Sequence, residues 1–171
     1  MKRERGGLNY IEIFQEFNRE NIKYIVCGGV ALNLHGIPRM TYDIDILLKM
    51  DNRNIEKFLN LLKKWGFKPK VPVDIMDFVK NTNREKWIKE KHMKAFTLYN
   101  ENWIISEFDI LIDVPVDYES AIKNITYVKV KNVKIPLISP HDLIKMKQKT
   151  GRKQDKADIR VLKKLYEKKR I

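Results

Sequence analysis

The sequence predicts an α/β fold, and three observations carry that prediction. Residues 24–48, YIVCGGVALNLHGIPRMTYDIDILL, read as strand, Gly-Gly turn, helix, loop and strand. Apolar stripes at helical spacing lie before and after this unit. Two later segments, 94–113 and 126–137, read as β-hairpins.

Taken in order, Leu8, Ile11, Phe14 and Phe17 mark a first amphipathic helix over residues 8–20. Tyr24 to Cys27 is an apolar strand, and Gly28-Gly29 opens the short helix that holds Val30 to Leu34. After the Asp43-Ile44-Asp45 strand, Asp51 or Asn52 caps a helix striped by Ile55, Phe58, Leu59, Leu62 and Trp65. Gly66 ends it, and Trp65 reads as core. Residues 67–92 are the least legible. Pro69 and Pro72 break any long element there. A turn or two of helix is expected at Asp74 to Lys80, and a short charged helix with Trp87 at Asn83 to Lys91. This segment is a candidate cover for the site. Strands are expected at Lys94–Tyr99 and Trp103–Asp113 with a turn at Asn100-Glu101-Asn102, then a hairpin around Asn132. Ser139 caps a helix with Pro140 in its first position. His92 and His141 read as surface or structural residues.

The length, 171 residues, suggests a single domain over 1–171 with a basic helical segment over 139–171. Such a chain buries roughly 70% of its unfolded surface. With 35 Lys+Arg against 22 Asp+Glu, the net charge of +13 favours polyanionic partners such as nucleic acid or nucleotide. A solvated lysine-rich surface accounts equally well for any one basic stretch. The single Cys27 excludes an intramolecular disulfide or a cysteine-based zinc site, and reads as a buried small hydrophobe. No signal peptide is expected, because the basic start is followed by glycines and polar residues. The apolar stretch Tyr24 to Leu34 is too short for a membrane span of about 20 residues. A soluble, cytoplasmic protein with no membrane partner is expected, with termini frayed at Met1–Gly6 and Lys168–Ile171.

The chemistry concentrates in residues 28–45. Two glycines in a row admit a ligand to backbone amides at a helix start, a place suited to phosphate. Asp43 and Asp45, two apart in a strand, project from one face. Their mutual repulsion raises one pKa unless a cation neutralises them, and hard oxygen ligands suit magnesium. A phosphate cradle beside paired carboxylates reads as phosphoryl or nucleotidyl transfer from a nucleoside triphosphate.

Gly28-Gly29, His35-Gly36 and Arg39-Met40-Thr41-Tyr42-Asp43-Ile44-Asp45 together resemble the motif of the polymerase-beta-type nucleotidyltransferase superfamily. The resemblance is to its small stand-alone prokaryotic members, the minimal nucleotidyltransferases and the toxin halves of abortive-infection toxin–antitoxin pairs. The string matches without departure. A second match is Asp142-Leu143-Ile144 with Lys147, then Gly151-Arg152, Asp155, Asp158 and Ile159; it departs at Gln154, where the family usually has Lys. The resemblance covers residues 24–48, 105–120 and 139–160, about half the chain.

That resemblance implies a short mixed, twisted sheet flanked by helices. It implies transfer of a nucleoside monophosphate to an acceptor hydroxyl, with release of pyrophosphate, and places the chain among candidate toxin–antitoxin components. Phe108-Asp109-Ile110-Leu111 resembles the strand supplying a third metal carboxylate, so Asp109 joins Asp43 and Asp45 as catalytic and metal-binding residues holding two Mg²⁺ ions. Glu107, which shares a face with Asp109, is the runner-up, ahead of Asp113 near the strand end. Gly28, Gly29, Arg39, Thr41 and Lys147 are the candidate nucleotide-binding residues. The acceptor is open between RNA, a protein hydroxyl and a small molecule. From His141 to Ile171, 12 Lys+Arg stand against 4 Asp+Glu, so +8 of the net charge lies there and points to RNA. The rival reading is a catalytically inactive nucleotidyltransferase fold that binds RNA or another partner. The oligomeric state is not legible.

Overall fold

The structure, a computed structural model, describes residues 6–169. Of the ends expected to fray, residues 1–5 and 170–171 lie outside these residues; Gly6 instead bridges Trp103, and the last helix continues to Lys169. Helix α1, Tyr10–Arg19, starts at a capping box: Asn9 accepts from the Glu12 N–H, and Glu12 reaches back to the Asn9 N–H. It buries Ile13, Phe14 and Phe17. Strand β1, Tyr24–Cys27, is buried throughout and runs into α2, Gly28–Leu34. Strand β2, Asp43–Leu48, leads to α3, Asn52–Lys64. Asp51 caps α3 through the Asn54 N–H at 2.9 Å, and Gly66 at φ +83° ends it, as its sequence signals require.

Next come β3, Lys68–Pro69, a 3₁₀ turn at Ile75–Val79, and α4, Asn81–Lys91. Strands β4, Ala95–Tyr99, and β5, Glu107–Leu111, form the expected antiparallel pair, but its turn is longer than expected. Residues 103–106 leave the ladder because backbone near Trp103 pairs with Gly6 instead, while the Trp103 ring packs edge-on to Phe67 at 5.0 Å. After α5, Tyr118–Ala121, strands β6, Thr126–Val130, and β7, Val133–Leu137, close a two-residue turn. Lys131 and Asn132 both have positive φ there, the requirement of a type I′ turn. Helices α6, Pro140–Thr150, and α7, Lys153–Lys169, complete the described chain. Ser139 caps α6 as expected. No helix among the described residues is long and apolar enough to cross a membrane.

The described strands form one mixed sheet in the order β3-β4-β5-β2-β1-β7-β6. β2 runs parallel to β5 and antiparallel to β1, and β1 runs parallel to β7. Side-chain parity divides the sheet into two faces. Ile44, Ile46, Phe108, Ile110, Phe96 and Leu98 share one face and are fully buried. Helices α1 and α3 cover it: Phe17 meets Phe58 at 5.5 Å, and Phe58 meets Phe108 at 6.3 Å. Trp65 stacks on Phe17 at 6.1 Å, in the core role read from its spacing. Phe17 is fully buried, so truncation to Ala would cost about 3–5 kcal/mol. Phe78 and Trp87 stack on Phe96 from the same side. Residues 75–91 therefore thicken the core on the face away from the carboxylates, rather than covering the site. The other face carries Asp43, Asp45, Glu107 and Asp109.

Candidate active site

One ladder row crosses four strands: Thr97 of β4, Asp109 of β5, Asp45 of β2 and Cys27 of β1. The next row sets Tyr99, Glu107 and Asp43 side by side. Two i,i+2 carboxylate pairs on adjacent parallel strands thus converge on one face. Ligand oxygens of Asp43, Glu107 and Asp109 lie within 4.8 Å of one another. Asp45 lies deeper than Asp43, opposite Asp109 in the ladder. Thr97 Oγ1 donates to Asp109 Oδ1 at 2.5 Å and fixes the orientation of that carboxylate.

The electrostatics follow from this crowding. Burial, then the Asp109 and Asp43 carboxylates, push Asp45 well above the usual carboxylate range; Lys147 pulls it down. Burial, then Asp109 and Glu107, raise Asp43. Asp43, Glu107 and Asp109 offer converging hard oxygen donors, with Asp45 alongside, a set that fits a divalent cation such as magnesium. Asp109 stands beside the Asp43/Asp45 pair. Glu107, second to Asp109 from the sequence, joins the carboxylate cluster, and its i,i+2 spacing to Asp109 was the available signal. Asp113 does not join; it pairs with Lys94 at 2.5 Å and Lys149 at 3.2 Å.

Gly28 adjoins the cluster, with φ +62°. Gly29 backs onto Thr41, where an added Cβ would meet Thr41 Cβ at 3.2 Å. Thr41 Oγ1 in turn contacts the Asp43 backbone, and its carbonyl accepts from the Tyr10 hydroxyl, so the loop before β2 is held in place. Cys27 is buried, as its surroundings implied, and burial raises its thiol pKa. A cavity of about 500 Å³ opens beside Gly28 and Asp45. Its walls include Leu111, Val114, Leu143 and Met146, with Lys147, Lys149 and Arg152 on the α6–α7 side.

The basic candidates are already engaged. Lys147 is buried and ion-paired with Asp155 at 3.4 Å and Asp158 at 3.0 Å. Arg39 Nη1 grips both oxygens of Asp158 at 2.8 and 2.9 Å. Gln154, the departure from the family motif, donates to the same Asp158 at 3.2 Å. Asp158 therefore ties the Arg39 loop to the helical hairpin, with Lys147 turned towards the cavity.

Residues 9–168 match the family described as "Nucleotidyltransferase of unknown function (DUF6036)". The chain belongs to this nucleotidyltransferase family. The resemblance read from residues 28–45 is thereby borne out, and so is the enzyme class. No curated protein sequence matches the chain. Among solved structures, the nucleotidyltransferase is similar to the lincosamide antibiotic adenylyltransferase LnuA in its lincomycin-bound form. Identity is 20%, coverage is 90% of this chain and 94% of that one, and the TM-score is 0.59. It is also similar to an antigenic nucleotidyltransferase-like protein from Paracoccidioides brasiliensis, at 21% identity, 91% and 72% coverage, and TM-score 0.51. The antibiotic-resistance factor ANT(2'')-Ia matches at 10% identity, 88% and 78% coverage, and TM-score 0.56. These likenesses establish the fold, a mixed sheet of the nucleotidyltransferase type flanked by helices.

Proposed function

We propose that the protein transfers a nucleoside monophosphate from a nucleoside triphosphate to an acceptor hydroxyl, releasing pyrophosphate, with Mg²⁺ as cofactor. The observation that carries this reading is the convergence of Asp43, Glu107 and Asp109 within 4.8 Å, beside Asp45 and a glycine. Asp43, Asp45, Asp109 and Glu107 would hold the metal, and four carboxylates are a sufficient donor set for two ions. Bound there, Mg²⁺ supplies a lowered pKa at the attacking hydroxyl and neutralisation of the triphosphate oxygens.

The chain's own residues do the rest. Gly28 and Gly29 let phosphates approach backbone amides, and Thr41 holds that turn against β2. Thr97 keeps Asp109 aimed at the cluster. Lys147 places a cation in the cavity wall, its position fixed by Asp155 and Asp158, and Arg39 holds the same hairpin through Asp158. Leu111, Val114, Leu143 and Met146 exclude water from one side of the cavity. The third carboxylate beside the pair favours chemistry over an inactive binding fold.

The acceptor proposed is RNA, supported by the +8 concentrated in residues 141–171. A second reading, a small-molecule acceptor, is favoured by the cavity, whose volume falls within the roughly 300–1,000 Å³ of small-ligand sites. The experiment incubates the protein with each α-labelled triphosphate, Mg²⁺ and either cellular RNA, cellular protein or a panel of hydroxylated small molecules. Label transferred by wild type and lost in Asp109→Asn is expected. No transfer to any acceptor class would return the protein to the inactive reading.

A further inference from the structure

Lys70 follows β3 and forms an ion pair with Glu107. Its ammonium also lies in the field of Asp109 and Asp43. The lysine is mounted rather than loose: its backbone N–H donates to the Thr97 carbonyl at 3.0 Å, on the strand whose Thr97 side chain orients Asp109. The stem remains half-exposed, so the ammonium can leave Glu107 without unfolding anything. A cation fixed beside three converging carboxylates stands where a metal ion would compete with it.

We propose that Lys70 is the resident counter-ion of the carboxylate cluster, exchanged for the divalent cation on loading. This rests on the metal reading given above. Lys70 partners Glu107 while the carboxylates lack a metal. When a divalent cation takes Glu107, the displaced ammonium needs a new anion, and the phosphate chain that arrives with the metal supplies it. Two consequences follow. Metal alone binds against the Lys70–Glu107 pair. Metal accompanied by a triphosphate chain binds without that opposition, so the two ligands are cooperative, and part of the coupling is carried by Lys70. Lys70 is thus a positioning residue that biases the site towards accepting metal and triphosphate together. An exposed ion pair with no such role would contribute little to either affinity.

The test measures Mn²⁺ affinity by calorimetry and electron paramagnetic resonance, for free Mn²⁺ and for preformed Mn²⁺–tripolyphosphate. Tripolyphosphate carries the anionic chain without a base, so nucleotide preference does not enter. Lys70→Gln is expected to bind free Mn²⁺ about three- to tenfold tighter than wild type and Mn²⁺–tripolyphosphate no tighter or more weakly. Lys70→Arg, which keeps the charge, is expected to follow wild type in both. Equal or weaker binding of free Mn²⁺ by Lys70→Gln would overturn the counter-ion role while leaving the metal site intact. An equal shift of both ligands in one direction would also overturn it. Absence of Mn²⁺ binding in wild type and Lys70→Gln alike, or undiminished binding in Asp109→Asn, would remove the metal reading itself, and this inference with it.

Discussion

Gly28 and Asp45 meet at the end of the β1–β2 ladder so closely that a Cβ on Gly28 would stand 1.8 Å from Asp45 Oδ2. The backbone there also has φ +62°, which a side chain disfavours. Gly28→Ala must therefore both strain the turn and push Asp45 out of the cluster. Destabilisation of about 1–3 kcal/mol is expected in urea melts, with transfer activity down about 100-fold. Gly36→Ala is the control. Its φ is +94° but no atom lies within 4 Å of the added Cβ, so it should bear the backbone cost with little loss of activity.

On the proposed function, metal and substrate relieve the crowding of the carboxylates and so act as stabilising ligands. Saturating Mg²⁺ and triphosphate should raise Tm by mass action on the folded state, about 2.7 kcal/mol at a hundredfold excess over Kd. Asp45→Asn should abolish that shift. The metal-free variant should be at least as stable as wild type, because it removes a carboxyl group crowded against Asp109 and Asp43. Differential scanning fluorimetry over the four common nucleotides checks both outcomes.

Asp155 holds the helical hairpin through an acid-sensitive contact. Burial raises its pKa, but Thr150, Arg152 and Lys147 outweigh this and hold the carboxyl below the usual range. A folded pKa below the unfolded one adds stability at neutral pH. That stability is complete above the unfolded value of about 3.9 and is lost as pH falls through the folded value. Chemical denaturation from pH 6 downward should show an acid limb below about pH 4 that flattens in Asp155→Asn. Lys147→Met, which leaves Asp155 and Asp158 without their shared buried cation, should cost about 3 kcal/mol.

The RNA reading has a salt signature. Lys149 and Arg152 are engaged by Asp113 and Asp155, so exposed Lys145, Lys153, Lys156 and Arg160 are the more informative set. For tRNA or bulk RNA, changing these four to Gln should lower the log–log salt slope by about 3. A wild-type slope near zero would return the acceptor to a protein or a small molecule, with the basic helices a solvated face.

Much of the site could be read in advance where the signal is local. The parity of Asp43 and Asp45, the glycine pair, the caps at Asp51 and Ser139 and the stop at Gly66 depend on neighbours a few residues away. Lys147, Asp155 and Asp158 were marked by the motif that carries them, but their pairing is decided by the fold. The turn after Tyr99 was not, because Trp103 leaves its expected strand for contacts with Gly6 and Phe67. Residues 75–91 were misplaced because no sequence period tells which face of a sheet a segment covers; the stacking of Phe78 and Trp87 on Phe96 decides it.

The sequence by itself determined the order of elements and which carboxylates could share a face, since alternation along a strand is a property of the backbone. It left Glu107 and Asp109 as competitors for one role. Only the tertiary structure set β5 parallel to β2 in the register that pairs Asp43 with Glu107 and Asp45 with Asp109. Register between distant strands is chosen by burial of Ile44, Ile46, Phe108 and Ile110 on the opposite face, and a slip of β5 by one residue would turn Glu107 and Asp109 into the core. The same packing brought in Thr97 and Lys70, which carry no motif, and assigned Asp158 to Arg39. These contacts arise from long-range pairing and leave no local pattern in the chain.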